Sequence, residues 1–472
     1  MRAKLQSFST FANSLLPHEA DFLLEAGQLE DPDRIRILER IRENARRRGQ
    51  FLPYDTSIDK RKYSDLKNWI RRKLSQIDVD EEIRYITDTE TAILTDAIRP
   101  REEAVLLRKI KAYTYPSFFF GRWYELMQRY HQFLLIRLRP KDYELLDDFL
   151  CTYKVRYDKY QRIQEQLHQA TIDIVQQYKA NTTESIQWER WLNQVFYDEE
   201  QDGYSRYSAF VRLSFISFNY RRIESLWDKF DYLDHSFRQG KYYSRRFLIN
   251  YYHLRLIAHA KLRQYEQAVE YGYYAIRDRN HDYLFYVNNL SAVLLRAGKA
   301  EEALQLMRSA TEEMKASKNM HNKIGFVAYY IKALLQNGKR QNAVSYATTF
   351  YQAYHREILQ VRWHTYFTIY LEALFKTEAF ERICSLERKH KLVKKEEELL
   401  AGSHKWPFIQ WWVKASQYQL RELPGTAFAD DLNQQLQQRD TASDPAIAEQ
   451  LRVLRDCCVE AFRLGIRWPL TG

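Results

Sequence analysis

The sequence predicts an all-α protein, in which an N-terminal helical bundle precedes a series of helical hairpins. Three observations predict this fold class. The 472 residues include only 13 glycines and 10 prolines, so turns are few and the elements between them are long. Apolar residues recur at three- and four-residue spacing along most of the chain. The 35 tyrosines, 25 phenylalanines and 10 tryptophans supply the apolar area of an extended core.

Residues 1–182 form successive amphipathic segments and are predicted to be one α-helical domain. Asp31-Pro32 marks a helix start, because an aspartate can cap free amides and a proline in the first turn loses no hydrogen bond. Further helices are predicted over 78–97, 101–112, 117–138 and 142–180, with breaks near Pro100, Pro116 and Pro140.

One helix of this domain is strongly basic. Its predicted buried face carries Leu66, Trp69, Ile70 and Leu74, and its opposite face carries seven cations: Lys60, Arg61, Lys62, Lys67, Arg71, Arg72 and Lys73. Such a helix could contact a phosphate backbone or an anionic membrane surface. A bundle helix with a solvated outer face has the same pattern, and nearby aspartates dilute its charge. We expect the bundle helix.

An internal repeat begins after residue 205. Residues 291–303 contain a helix end at Gly298, a short turn and a new helix opening with two glutamates. Similar segments follow forty residues later at 330–343 and again at 370–383. An upstream copy lies at 261–268 and a degenerate one at 218–223. Small residues stand where the two helices of a hairpin would touch, at Ala268, Ala303 and Ala343.

These segments resemble tetratricopeptide (TPR) hairpins over about 205–420. Arg263 and Glu378 stand where the family has a turn glycine, and the forty-residue spacing exceeds the usual period. The resemblance therefore implies a TPR-like α-solenoid of about four to five irregular hairpins, assigned to residues 183–423. In such a solenoid the first helices line a concave groove. The groove positions implied for this chain are Arg212, His253, Lys261, Asn288, Arg296 and Lys332.

The end of the chain has a different composition. Residues 424–446 are polar and are predicted to be a linker. Residues 447–472 are predicted to form a C-terminal helix with Ile447, Leu451, Leu454, Cys458 and Phe462 on one face.

The net charge of +11 is concentrated in one region. Residues 1–200 carry 33 basic and 33 acidic side chains, and residues 351–472 carry 17 and 16. Residues 201–350 carry 23 basic and only 13 acidic ones, so this region holds nearly all of the excess. A local excess of that kind indicates an anionic partner for the repeats, unless the charges lie on solvated outer faces.

The sequence leads to a binding protein rather than an enzyme. No glycine-rich phosphate loop, metal-ligand spacing or nucleophile–base pattern is recognisable, so no catalytic residue, metal or cofactor is predicted. No apolar run of about 18 residues predicts a membrane span, and we expect a cytoplasmic protein. The leading hypothesis is a scaffold or regulator whose groove binds an acidic peptide or protein surface.

Two other functions remain open. Nucleic acid could bind the basic, tyrosine-rich region, where Lys241, Arg245 and Arg246 alternate with aromatic residues. The chain could also be a structural subunit whose surface is covered in a larger assembly. The sequence alone does not distinguish the partner.

Overall fold

The computed structural model describes residues 5–27, 29–180, 184–401, 406–437 and Leu454. Over these residues the chain is all-α, with 23 α-helices, two short 3-10 helices and no strand. The all-α prediction is therefore confirmed. Within the described part, no helix is both long enough and apolar enough to cross a lipid bilayer.

The helices before residue 262 have the following bounds: α1 Gln6–Asn13, α2 Pro17–Glu25, α3 Pro32–Ala45, α4 Lys60–Ile77, α5 Val79–Leu94, α6 Pro100–Lys111, α7 Phe120–Ile136, α8 Pro140–Ala180, α9 Glu189–Tyr197, α10 Gly203–Tyr220, α11 Trp227–Arg238 and α12 Arg245–Lys261. The remaining helices are α13 Tyr265–Ala275, α14 Tyr283–Arg296, α15 Ala300–Ser309, α16 Thr311–Ala316, α17 Met320–Gln336, α18 Arg340–Val361, α19 Trp363–Phe375, α20 Phe380–His390, α21 Leu392–Leu400, α22 Phe408–Gln419 and α23 Gly425–Gln437.

The chain divides into two compact units. The first consists of Met1–Gln264 and Tyr273–Asp278, and the second of Tyr265–Gly272 and Arg279–Gly472. The boundary drawn from the sequence between 182 and 183 lies inside the first unit. Helix α2 explains why, since it packs against α11 and thereby joins the N-terminal helices to residues more than 200 positions later.

Helix starts in the first unit follow local signals in the sequence. Asp31 caps α3 by accepting a hydrogen bond from the Asp33 amide, and Pro32 occupies the first turn as predicted. Asp59 caps α4 in the same way through the Arg61 amide. One apolar cluster lies among α1 to α4 and includes Phe8, Leu38 and Leu66. A second cluster lies among α5 to α8 and includes Ile86, Met127 and Leu146.

Four hairpin turns at the predicted repeat positions share one backbone geometry. Arg263, Gly298, Gly338 and Glu378 all have a left-handed φ, between 58° and 74°. In each turn the amide of the next residue donates to the carbonyl five positions earlier, as in Lys299 N to Leu294 O at 2.9 Å. This bond closes the end of the first helix. The turn does not depend on glycine, because Arg263 and Glu378 adopt the same φ.

In the second unit each first helix of a hairpin contacts the first helix of the next: α14 contacts α17, and α17 contacts α19. Each also contacts its own second helix, in the pairs α14–α15, α17–α18 and α19–α20. Ala303 and Ala343 are fully buried at the hairpin contacts, where their small side chains were predicted.

The C-terminal prediction differs from the structure in one part. Gly425–Gln437 form α23, although the sequence predicts a polar linker over 424–446. Phe428, Ala429 and Leu432 lie on one side of α23 and are buried, which explains why this polar segment is helical. The rest of that linker, and the helix predicted over 447–472 apart from Leu454, lie outside the described residues.

Candidate functional site

The first helices of three hairpins in the second unit are mostly apolar, and several of their polar side chains stand at equivalent positions. Helices α14, α17 and α19 are largely apolar and buried. The forty-residue period relates three sets of positions, each with one member in every hairpin. The first set is Asn288, Ala328 and Thr368, the second is Ala292, Lys332 and Glu372, and the third is Arg296, Gln336 and Lys376. We call these nine positions the stripe.

The centre of the stripe is a buried charge cluster. Lys332 Nζ lies 2.9 Å from Oε1 of Glu372, and Lys376 Nζ lies 2.8 Å from the same oxygen. Glu372 is 0% exposed, and the two lysine side chains are only 13% and 16% exposed. Burial raises the pKa of the Glu372 carboxyl, but the two ammonium groups outweigh it and lower the pKa to about 2. The Glu372 carboxyl is therefore ionised at neutral pH.

The beginning of the stripe holds a buried amide. The Asn288 side chain is 3% exposed, and its Nδ2 donates to the Asn322 carbonyl at 2.9 Å. Its Oδ1 accepts no hydrogen bond from any described residue. Gly325 lies beside it, and a Cβ there would stand 3.5 Å from Asn288 Nδ2 and would collide with Arg362 Nη1. The glycine thus makes room for the Arg362 guanidinium next to Asn288.

Arg296 ends α14 and is exposed. Together with Arg362, Lys332 and Lys376 it outnumbers the one carboxylate, Glu372, so these five charged residues carry a net charge of +3. The arrangement offers cationic donors and one amide acceptor on helices whose other buried residues are mostly apolar. It can pair with carboxylates and hydrogen-bond an amide, and it contains no nucleophile aligned with a base.

The six groove positions predicted from the sequence fall into two groups. Asn288, Arg296 and Lys332 lie in the second unit, on α14 and α17. Arg212, His253 and Lys261 lie in the first unit. Lys261 is exposed at the end of α12. The other two residues are engaged inside the first unit.

Arg212 is held by neighbouring helices. Its Nε donates to the Leu167 carbonyl at 2.8 Å and to Thr171 Oγ1 at 2.9 Å, because α8 packs on α10. Its Nη1 donates to the Ser208 carbonyl at 2.8 Å. His253 is 2% exposed, and burial lowers the pKa of its imidazole to about 3. Both residues therefore differ from the open groove positions implied by the resemblance.

Two of the three cations proposed to contact nucleic acid are matched by carboxylates of the first unit. Arg245 Nη1 lies 2.9 Å from Glu19 Oε1, and Arg246 Nη2 lies 2.9 Å from Asp80 Oδ1. Lys241 is exposed. The sequence-based count of basic residues in 201–350 thus overstates the free charge, because acids from the N-terminal helices neutralise part of it.

Sequence reasoning missed Glu372, Lys376, Gly325 and Arg362. The repeat contains the signal for two of them, since Glu372 lies forty residues after Lys332 and Lys376 lies eighty after Arg296. No sequence signal singles out Gly325 or Arg362, whose proximity depends on how α17 and α19 pack.

Within the described residues, no group of three or more His, Cys, Asp or Glu side chains could hold a metal ion. No protein-family model, curated protein or solved structure matches this chain.

Proposed function

We propose that the second unit binds an acidic peptide segment along the stripe, and that the protein works as an interaction scaffold or regulator. The observation that carries this proposal is the ion pair between Lys332 and Glu372. These residues are equivalent positions of successive hairpins, so their contact places the repeat positions of neighbouring first helices side by side. Seven of the nine stripe positions are polar, and they are distributed over α14, α17 and α19.

The chemistry of the stripe suits a peptide with carboxylates. Arg296 and Arg362 are guanidinium groups, which bind carboxylates with two parallel hydrogen bonds. Asn288 Oδ1 is a buried acceptor that a peptide amide could satisfy. Glu372 balances part of the lysine charge, which keeps two ammonium groups close together without strong repulsion.

A TPR-like solenoid is the architecture that we propose for these hairpins, with α14, α17 and α19 as the groove-lining helices. The shared left-handed turns and the contacts between successive first helices support it. The proposal requires no catalytic step. The nucleic-acid alternative at Lys241, Arg245 and Arg246 has weaker support, because Glu19 and Asp80 neutralise two of these cations.

The test compares two arginines of one hairpin. Arg296 ends α14 and Arg308 lies in the last turn of α15, and both are exposed. Arg296→Glu and Arg308→Glu therefore make the same charge change at similar helix positions, but only the first lies on the stripe. The probe is a fluorescein-labelled hexaglutamate peptide, titrated with the full chain at 50 mM salt and followed by fluorescence anisotropy.

We expect Arg296→Glu to weaken peptide binding by at least about tenfold, since the change from attraction to repulsion amounts to about 1.4 kcal/mol or more. Arg308→Glu should change binding by less than about twofold. Asn288→Ala should also weaken binding, with no change in the salt dependence. Equal losses in both arginine variants, or no binding of hexaglutamate by the unmodified chain, would contradict the proposal.

A further inference from the structure

A second cationic surface lies in the first unit, between the start of α1 and the outer side of α4. A cleft of about 680 Å³ lies along the surface between these two helices. Lys60, Lys67 and Arg71 line one side of it, with Ser64 and Asn68 between them and Ser7 opposite. We call this feature the α1–α4 cleft.

The cations of α4 divide into paired and unpaired groups. Lys62 is neutralised by Asp31 and Asp33, at 3.0 Å and 2.6 Å. Lys60, Arg61, Lys67, Arg71 and Arg72 take part in none of the ion pairs formed by described residues. Asp65, which could have reduced the charge of the helix, pairs instead with Arg34 at 3.1 Å. The charge of the cleft is therefore available to a ligand.

Lys67 and Arg71 are held in place by uncharged groups, which do not neutralise them. Lys67 Nζ lies 5.3 Å from the centre of the Phe11 ring, and the Arg71 guanidinium carbon lies 5.1 Å from it. Lys67 Nζ also donates to Ser7 Oγ at 3.3 Å. An aromatic ring and a hydroxyl restrict these side chains but leave their charges in place. The cleft is thus partly preorganised for an anion.

The linear arrangement of the cations favours one class of anionic partner over others. Lys60, Lys67 and Arg71 form a row about 16 Å long on one side of a regular helix. A single phosphate group would favour cations that converge on one point, whereas a row favours a partner with regularly repeated charge. A nucleic-acid strand places one phosphate about every 3.4 Å of helix axis.

A lipid surface fits less well. A membrane-bound amphipathic helix needs an apolar face turned to the bilayer. The apolar face of α4 consists of Tyr63, Leu66, Trp69 and Ile70, and it is buried in the first unit. The exposed side chains of α4 are all polar or charged.

We propose that the α1–α4 cleft binds the phosphate backbone of a nucleic acid. Lys60, Lys67 and Arg71 each contact a phosphate along the backbone, and Ser64 and Asn68 donate hydrogen bonds between them. The aromatic ring beside the row, Phe11, is already in contact with Lys67 and Arg71, so binding relies on the phosphates and depends little on base sequence. This surface is distinct from the stripe and from Lys241, Arg245 and Arg246.

The experiment measures binding of the full chain to fluorescein-labelled 20-base-pair duplex DNA, to a single-stranded DNA of the same length and to the matching RNA. The test variant is Lys60→Gln/Lys67→Gln/Arg71→Gln, which keeps long helix-forming side chains. The control is Arg101→Gln/Arg108→Gln/Lys111→Gln on α6, which removes three exposed cations of the same unit. Circular dichroism melting verifies that both variants fold.

We expect the unmodified chain to bind at least one of the three probes, with an affinity that falls by about 40-fold between 50 and 200 mM salt if three phosphates are neutralised. The cleft variant should lose at least about tenfold in affinity and most of that salt dependence, and the α6 control should lose less than about threefold. Equal losses in the two variants would overturn the proposal. Poly-glutamate that competes as well as the best nucleic acid would also overturn it, since the cleft would then be a general site for acidic proteins.

Discussion

The carboxylate of Glu19 lies 2.9 Å and 3.0 Å from Nη1 of Arg245, a residue 226 positions later in the chain. Glu19 also accepts hydrogen bonds from the Tyr243 hydroxyl at 2.8 Å and from the Leu16 amide at 2.7 Å. Its side chain is fully buried. One carboxylate thus caps α2, fixes that helix to the loop before α12 and neutralises a cation that the sequence assigns to a ligand.

Glu19→Gln should destabilise the protein by about 3 kcal/mol, because the change leaves the mostly buried Arg245 guanidinium without its counter-charge. Urea denaturation at pH 7 measures this loss. Glu25→Gln is the matched control, since Glu25 lies on the same helix and is exposed. The control should change the free energy of unfolding by less than about 0.5 kcal/mol. Equal effects of the two substitutions would show that the Glu19–Arg245 pair contributes nothing specific.

Glu372→Gln should destabilise the protein by about 3 kcal/mol at pH 7, because the largely buried Lys332 and Lys376 ammonium groups would lose the counter-charge of Glu372. Glu381→Gln, on the exposed side of α20, is its control and should be nearly neutral.

The Glu372→Gln variant can also be tested by its dependence on pH. The pKa of Glu372 is about 2 in the folded protein, below the ordinary value of 4.5. Its contribution to stability is therefore fully present above pH 4.5 and is lost as the pH falls towards 2. The stability difference between the unmodified chain and Glu372→Gln should shrink over that window in urea denaturation series. A difference that stays constant from pH 5 to pH 3 would show that the carboxylate is not ionised in the folded protein.

His253 should make the first unit sensitive to mild acid. Burial lowers the pKa of its imidazole to about 3, against 6.5 for the ordinary side chain. Below pH 6.5 the unfolded chain binds a proton at this residue that the folded chain does not bind, so stability falls as the pH falls from 6.5 towards 3. The loss from this group should reach about 2 kcal/mol at pH 5.

The variant His253→Gln should remove that contribution, so its stability should fall between pH 7 and pH 5 by about 2 kcal/mol less than that of the unmodified chain. His281→Gln is the control, because the His281 side chain is 96% exposed. Identical pH profiles for His253→Gln and the unmodified chain would mean that His253 is accessible to protons in the folded state.

Local signals in the sequence determined the fold class and much of the hairpin geometry. The caps at Asp31 and Asp59, the turns at Gly298 and Gly338 and the small residues Ala303 and Ala343 all depend on neighbours a few positions away, so they can be read in order along the chain. Glu378 adopts the same left-handed turn without glycine, because its place in the repeat fixes the backbone.

Only the tertiary structure decided which charges remain available. Arg212, Arg245 and Arg246 look like ligand-binding cations in the sequence, yet they bind α8 carbonyl and hydroxyl groups, Glu19 and Asp80. The Arg246–Asp80 pair joins residues 166 positions apart, and no local pattern encodes such a pairing. Charge on a single helix is set by that helix, but the field at its surface depends on every carboxylate that folding brings beside it. For that reason the sequence predicted the helices, and the packing determined which cations meet a carboxylate and which, like those of the α1–α4 cleft, form no ion pair with a described residue.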